Sequence, residues 1–346
     1  MPVSPYVLAM RPSDLLIPTP SGLYCPLADV HVDPVRPVER ALITHAHSDH
    51  ARAGHRQVLA TAETLAIMAA RYGEDFCEAR QTAILGRKLG LGGVDVTFHP
   101  AGHVLGSAQI AFEAKGLRIV ASGDYKRQAD PTCLPFEPVP CDVFISEATF
   151  ALPVFHHPDP RHEIGKLMDS LALFPERAHL VGAYSLGKAQ RIIAMARHAG
   201  HQAPIYLHGA MEKVTRLYQD FGIELGTLQL VRDVKPAELA GAIVLCPPSA
   251  AQEVWSRKMP DPLSVYASGW MRIRARARQS GAELPLVISD HADWPDLQRS
   301  ILETGCSELW VTHGQEDALV HWARSRGLKA QPLHMIGYGD EEAEEA

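Results

Sequence analysis

His45-Ala46-His47-Ser48-Asp49-His50 follows the apolar run Ala41-Leu42-Ile43 and Thr44, and the reading of this stretch decides the fold. Residues 41–44 read as the end of a buried strand. The polar hexad is then the loop beyond that strand's C-terminal edge, where α/β sheets place ligand sites. Alternate side chains of extended chain share a side, so His45 and His47 can hold one metal, while Asp49 and His50, past the turn, suit a second. A lone histidine in a chain with 18 is ordinarily a hydrogen-bonded core or surface residue. Three imidazoles and a carboxylate in six residues are another matter, because a cation is needed to offset their desolvation.

The same arrangement recurs along the chain. Val94 to Phe98 alternates as a strand and runs into His99-Pro100-Ala101-Gly102-His103, where Gly102 permits a close backbone approach and His103 supplies a third imidazole to the first metal. Leu117 to Ala121 is an apolar strand ending in Ser122-Gly123-Asp124, and the two oxygens of Asp124 suit a bridge between cations. Cys141 to Glu147 ends on Glu147, and Glu308 to Thr312 ends on His313-Gly314 ahead of a helix over 316–326. Asp33 follows the short strand Val30-His31-Val32 and either supports a ligand from behind or caps a turn before Pro34. Gly22 to Cys25 is a further strand, and residues 57–72 give a strand, a Thr61 cap and an amphipathic helix.

At 346 residues and 46% hydrophobic, the chain can bury a large core and has room for two domains. Residues 1–20 lack a basic start and an apolar core, and no apolar run is long enough to span a bilayer, so a cytoplasmic protein with no membrane partner is expected. Six scattered cysteines without a Cys-x-x-Cys pair read as reduced and structural. The formal charge is -7, but Asp340, Glu341, Glu342, Glu344 and Glu345 in the acidic tail carry five of those charges. Net charge therefore neither supports nor excludes a nucleic-acid partner, and local patches must decide.

His45-x-His47-x-Asp49-His50, His103 and Ser122-Gly123-Asp124 together resemble the metallo-β-lactamase fold superfamily. Glu147 at a strand end, His291 in Ser289-Asp290-His291-Ala292-Asp293, and His313 in Val311-Thr312-His313-Gly314 are similar to the further motifs of its β-CASP nucleases. These include RNase J, the Artemis-type DNA nucleases and the mRNA 3′-end cleavage factors. Gly22-Leu23-Tyr24-Cys25-Pro26, Ser268-Gly269-Trp270-Met271 and Ser289 to Trp294 look most like the bacterial ligase-associated DNA exonucleases. One departure is His313, where eukaryotic DNA-specific members commonly carry valine and RNA-cleaving members histidine.

The resemblance implies an α/β protein, an αββα sandwich over residues 1–150 and 288–346 with an inserted β-CASP α/β domain over 151–287. It implies a DNA exonuclease of DNA repair that acts on single strands or frayed ends beside an ATP-dependent DNA ligase, with an RNA-processing nuclease as the alternative. His45, His47 and His103 would hold one metal, Asp49, His50 and His313 the other, and Asp124 would bridge them. Two Zn2+ suit that donor set, with Mn2+ possible, and they would activate the attacking water, with Asp49 counted among the catalytic residues. His291 would be the general acid and Glu147 its orienting partner.

Within the insert, Ala178 to Tyr184 reads as a strand, Ser185-Leu186-Gly187 as a loop and Lys188 to His198 as a helix. Ser185 and Lys188 either cradle a phosphate at that helix N-terminus or mark an ordinary strand-to-helix connection. Arg272, Arg274, Arg276 and Arg278 alternate, so in extended chain they would line one face and track a phosphate backbone; a solvated loop is the other reading. Tyr206, Tyr218 and Trp270 can stack bases, although core packing suits most of them better.

Overall fold

A computed structural model describes residues 10–333; the acidic tail and the far end of the last expected strand, over 331–338, lie outside them. After a short helix α1 (Pro12–Leu15), the first sheet takes its strands in chain order: β1 (Ile17–Thr19), β2 (Gly22–Cys25), β3 (Val30–Val32), β4 (Arg40–Leu42), β5 (His55–Ala60) and β6 (Cys77–Thr82). Helix α2 (Ala62–Tyr72) crosses between β5 and β6, and the expected Thr61 cap is present, its hydroxyl accepting from Thr64 N. The helix buries Leu65, Met68 and Ala69 with Ala41, Ile43 and Val58 on the outer face of the sheet.

A second sheet starts with β7 (Leu89–Leu91), β8 (Val94–Pro100), β9 (Ala108–Ala114), β10 (Leu117–Ala121) and β11 (Val143–Ala148). The chain then leaves to build a third, all-parallel sheet. Its elements are α3 (Pro160–Leu173), β12 (His179–Gly182), α4 (Lys188–His198), β13 (Ile205–Leu207), α5 (Glu212–Asp220), β14 (Leu228–Leu230), β15 (Ile243–Cys246), β16 (Leu263–Ala267), α6 (Arg274–Gln279) and β17 (Leu284–Leu286). The order of that sheet is β14-β13-β15-β12-β16-β17. On its return the chain forms α7 (Trp294–Thr304), β18 (Glu308–Gly314), α8 (Glu316–Ser325) and β19 (Lys329–Pro332), with β18 parallel to β11, which completes the second sheet.

The first two sheets face each other across one core. Leu23, Val32, Leu42 and Leu59 from one meet Phe98, Ile110, Phe112, Ile145 and Trp310 from the other, each large side chain contributing about 1.5–3 kcal/mol of burial. On the far side, Val120, Phe144 and Val311 pack under Leu297, Ile301, Leu319 and Val320 of α7 and α8. The layers are therefore helix, sheet, sheet, helix. The residues singled out by sequence follow the ends of β4, β8 and β10, or close β11 and β18.

Residues 272–278 depart from the extended reading. Gly269–Arg272 forms a 3-10 turn and α6 begins after Ile273, so Arg272 ends the turn and the other three arginines are distributed around a helix. Arg274-Ala275-Arg276-Ala277-Arg278 consists of strong helix formers with no β-branched residue, and local propensity prevails over the two-residue period.

Candidate metal centre

Asp33 anchors the loop after β4. Its Oδ1 accepts from Thr44 N at 2.7 Å, and its Oδ2 accepts from Thr44 Oγ1 at 2.6 Å and from His50 Nδ1 at 2.8 Å. Of the two sequence readings for Asp33, the side chain is thus placed behind His50. That bond commits Nδ1 as a donor and turns His50 Nε2 toward Asp124, 3.4 Å from its Oδ2.

His45, His47, His103 and Asp124 bring one donor atom each to within 4.8 Å of one another, and His50, Asp124 and His313 do the same. Asp124 belongs to both groups: Oδ2 lies 3.5 Å from His45 Nε2 and Oδ1 lies 3.6 Å from His313 Nδ1. Asp49 stands beside the second group rather than within it, Oδ2 3.5 Å from His50 Nε2. The cluster can bind metal ions, and its two halves share a carboxylate as a dinuclear site requires.

Two features show that the donors fit cations. His45 Nε2 is fully buried and has no hydrogen-bond partner. His47 Nε2 meets the carbonyl of Leu186 at 3.2 Å, and His103 Nδ1 meets the carbonyl of Asp290 at 2.7 Å. A carbonyl only accepts, so each ring spends its N–H there, leaving the lone pairs of His47 Nδ1 and His103 Nε2 facing each other at 2.9 Å. A proton or a metal ion has to lie between them. Burial and neighbouring imidazoles push His103, like His45, well below the ordinary histidine pKa, which disfavours the proton.

The electrostatics of the second group run the other way. Burial alone would lower His50, but the charges of Asp124 and Asp49 and its hydrogen bonds to Asp124 and Asp33 hold it well above the ordinary value. Asp124 is itself held well below the carboxylate range: burial opposes this, and the His50 charge and the bonds from His313 and His50 outweigh it.

His313 takes a left-handed backbone, φ 56°, and Gly314 follows at φ 119°. A Cβ on Gly314 would sit 2.4 Å from the Ala148 carbonyl, so only glycine lets the end of β18 approach β11 this closely. Glu147 emerges from β11 fully buried, with Oε1 accepting from Tyr125 N at 2.7 Å and Oε2 2.9 Å from His291 Nδ1. The His291 ring lies 4.7 Å from that of His103, and Asp124, Glu147 and His291 form a third group within 4.8 Å.

The polar candidates of the insert are placed differently from the phosphate-cradle reading. Lys188 is completely buried, and a Cβ on Gly187 at the cap of α4 would lie 2.4 Å from Val104, so this helix N-terminus is packed against protein. Ser185 is half-buried, its carbonyl accepting from Gln190 Nε2. Arg272 and Arg274 are exposed, and Arg276 lies over the Trp270 ring at 4.0 Å. Trp270 packs on Phe150, as do His157 and, at 6.1 Å, His291. Tyr206, Tyr218 and Trp270 are all buried, which fits core packing.

Sequence reasoning passed over Lys126, Asp130, Arg191 and Asp290, which meet in a buried charge cluster behind His103. The available signal was Lys188 and Arg191 in the otherwise apolar segment that continues Ile192-Ile193-Ala194-Met195, since charges on a buried helix need partners.

Against known proteins, this chain is 30% identical over 324 residues to a probable DNA ligase of Opitutus terrae, a match covering 89% of this chain and 30% of that protein. It is 34% identical over 131 residues to cleavage and polyadenylation specificity factor subunit 3 of Dictyostelium discoideum, covering 35% of this chain and 17% of that one. The endoribonuclease YSH1 of Mycosarcoma maydis is 28% identical over 228 residues, covering 53% and 26% respectively. The chain belongs to the β-CASP family of the metallo-β-lactamase fold. It spans less than a third of the length of each of these curated relatives. A crystal structure of a protein of unknown function from Enterococcus faecalis V583 shares the fold, with a TM-score of 0.50 at 14% identity over 78% of this chain and 74% of that one. No protein-family model matches the chain.

Proposed function

We propose that this β-CASP protein is a metal-dependent phosphodiesterase, a DNA exonuclease that prepares ends beside an ATP-dependent DNA ligase. The observation that carries the hydrolytic reading is the pairing of His291 with Glu147 against the carboxylate shared by the two donor groups. The observation that favours DNA is the relative named a probable DNA ligase, in which a segment resembling 89% of this chain shares one polypeptide with as much again and more.

His45, His47 and His103 would hold one ion, and His50, His313 and the adjacent Asp49 the other, with Asp124 available to both. Zinc is the ion this imidazole-rich set suits best, and manganese the substitute. When bound, the pair supplies Lewis acidity and lowers the pKa of water. Hydrolysis would join water oxygen to phosphorus and break the bond to the leaving sugar oxygen, which then needs a proton. His291 holds it: Nδ1–H is committed to Glu147, which aims Nε2 at the cluster and stabilises the protonated ring. Residues 151–287 are the inserted domain, and its exposed Arg272 and Arg274, on the turn and helix that pack by Trp270 and Phe150 toward His291, attract the phosphate backbone.

The second reading is an RNA-processing nuclease of the same family. It is favoured by the relatives named endoribonuclease and cleavage factor, and by histidine at position 313. Purified protein of known metal content, given 5′- or 3′-labelled DNA and RNA single strands of one sequence, separates the two. Stepwise release from DNA, lost in Asp49→Ala, is the expected result and gives the polarity; cleavage confined to RNA selects the second reading.

Among the described residues no helix is long and apolar enough to cross a membrane.

A further inference from the structure

The imidazoles of the two donor groups are oriented by different parts of the molecule. His50 is set by Asp33, at the end of β3 in the first sheet. His47 and His103 are set by the carbonyls of Leu186, just after the first strand of the third sheet, and of Asp290, after its last. Leu186 immediately precedes α4, and Asp290 lies in the strap between β17 and α7.

The segments that carry those two carbonyls also supply members of one buried cluster of five charges. Lys126 Nζ donates to Asp130 at 2.6 Å and to the His103 carbonyl at 2.8 Å, and lies 3.7 Å from Asp290. Lys188 Nζ is 3.9 Å from the other Asp290 oxygen. Arg191 donates to the Ser289 carbonyl and to Gln128 Oε1, and approaches Asp130 at 3.6 Å and Asp290 at 3.5 Å. All five side chains are at most 4% exposed. Lys126 and Asp130 come from the loop after β10, Lys188 and Arg191 from α4 of the third sheet, and Asp290 from the returning strap. The strap thus threads between cations from both halves, and its carbonyl at residue 290 meets His103.

Resting on the metal-site reading above, we infer that the Lys126–Asp130–Asp290–Lys188–Arg191 cluster is a positioning device for the first metal site alone. Seating the insert aims His47 and His103 through the carbonyls of Leu186 and Asp290, and the second site does not depend on it. A bond from an outer group that fixes a ligating imidazole is worth roughly 10–100-fold in metal affinity when removed. The dependence should therefore appear as a difference between two binding equivalents in one protein.

Arg191→Met is the test variant, because it leaves two lysines against two aspartates and so takes the buried cluster from one excess positive charge to neutrality. The full chain, stripped of metal, is titrated with Co2+ and with Zn2+ against a chromophoric chelator, and its melting temperature is recorded beside the visible spectrum of the cobalt form. The expected result is two tight equivalents in the unaltered chain and, in Arg191→Met, one unchanged and one weakened roughly 10–100-fold, with Arg191→Lys in between. Asp33→Asn should weaken the other equivalent, and its cobalt spectrum should change in the complementary band. Should Arg191→Met not fold, Asp130→Asn, which removes the carboxylate charge that faces Lys126 and Arg191, is expected to weaken the same equivalent. Equal weakening of both equivalents in step with a falling melting temperature would overturn the inference, as would two unaltered equivalents in a folded variant. Failure of the unaltered chain to take up two equivalents would overturn the metal-site reading itself, and the inference with it.

Discussion

Replacing His291 by asparagine separates proton donation from every other role that residue could have. The asparagine amide reaches the position of Nδ1 and can still donate to Glu147, which is fully buried and otherwise keeps only the bond from Tyr125 N. Alanine would remove that donor and cost about 1–3 kcal/mol for a poorly satisfied buried carboxylate, confusing folding with chemistry. With asparagine the stability change should stay near 1 kcal/mol, and both metal equivalents should remain, because the proposed ligands are untouched. What disappears is Nε2 and its proton. General acid catalysis contributes typically 10²–10⁴-fold, about 3–5.5 kcal/mol of barrier, so single-turnover cleavage should slow by that factor. The assay pairs an ordinary phosphodiester with one whose leaving oxygen is replaced by sulfur, which departs without a proton. The sulfur substrate should be cleaved at nearly the unaltered rate. A loss below tenfold on the ordinary substrate, or an equal loss on both substrates, would refute the assignment of His291 as proton donor.

Three further outcomes are expected. Asp124→Asn, which keeps the shape of the shared carboxylate and removes its charge, should abolish cooperative uptake of two metals, read by elemental analysis after dialysis; retention of both would remove Asp124 from the bridge. Arg274→Ala should weaken single-stranded DNA binding and reduce the slope of log K against log salt by about 0.7, the value for one lost phosphate contact, whereas an unchanged slope would mean that α6 faces solvent only. His55 bears on stability rather than catalysis: burial lowers its pKa from 6.5 to about 4, and Val38 N donates to its Nδ1, fixing the neutral ring. The unfolded chain then takes up this proton first, so the contribution is complete above pH 6.5 and is lost as pH falls toward 4. His55→Gln should flatten urea-unfolding stability over that window, and an unaltered slope would contradict the burial argument.

How far the sequence could be read depends on where the information lies. Chain-local patterns were readable: Val94 to Phe98, Leu117 to Ala121 and Glu308 to Thr312 all form strands, and His103, Asp124 and His313 arrive together because strand ends of one sheet share an edge. Thr61 announced its helix because capping is a property of adjacent residues. The alternating arginines were misread for a related reason. Period alone was weighed, and the helix propensity of the alanines between them was not. Lys188 and Asp290 were illegible in a deeper sense. A buried lysine is recognisable only from its partners, and the Asp290 carboxylate near Lys188 lies 102 residues away. Adjacency to His291 made Asp290 visible as part of a motif and said nothing of the carbonyl that meets His103.

Those long-range partners also decide how firmly the insert is seated. Ala46, Ile67 and Leu105 from the first half lie in the same hydrophobic core as Leu186, Ile192, Ile193 and Leu207 of the insert. Tyr218 of α5, wholly buried, donates no proton to solvent but accepts from Leu105 N at 3.3 Å. Val104 fills the space in front of Gly187, and the five charges close the remaining side. A swing of the insert as a rigid lid would have to uncover that apolar surface at about 25 cal/mol per Å² and separate buried charges, each costing several kcal/mol. The insert is therefore seated on the metal-site half before any substrate arrives. A preformed arrangement carries the ordering cost in the folded protein rather than at binding. Under the nuclease function proposed above, single-stranded and frayed ends are the expected substrates, and cleavage of a blunt duplex should proceed at the rate at which its ends open; equal rates on blunt duplex and single strand would contradict it.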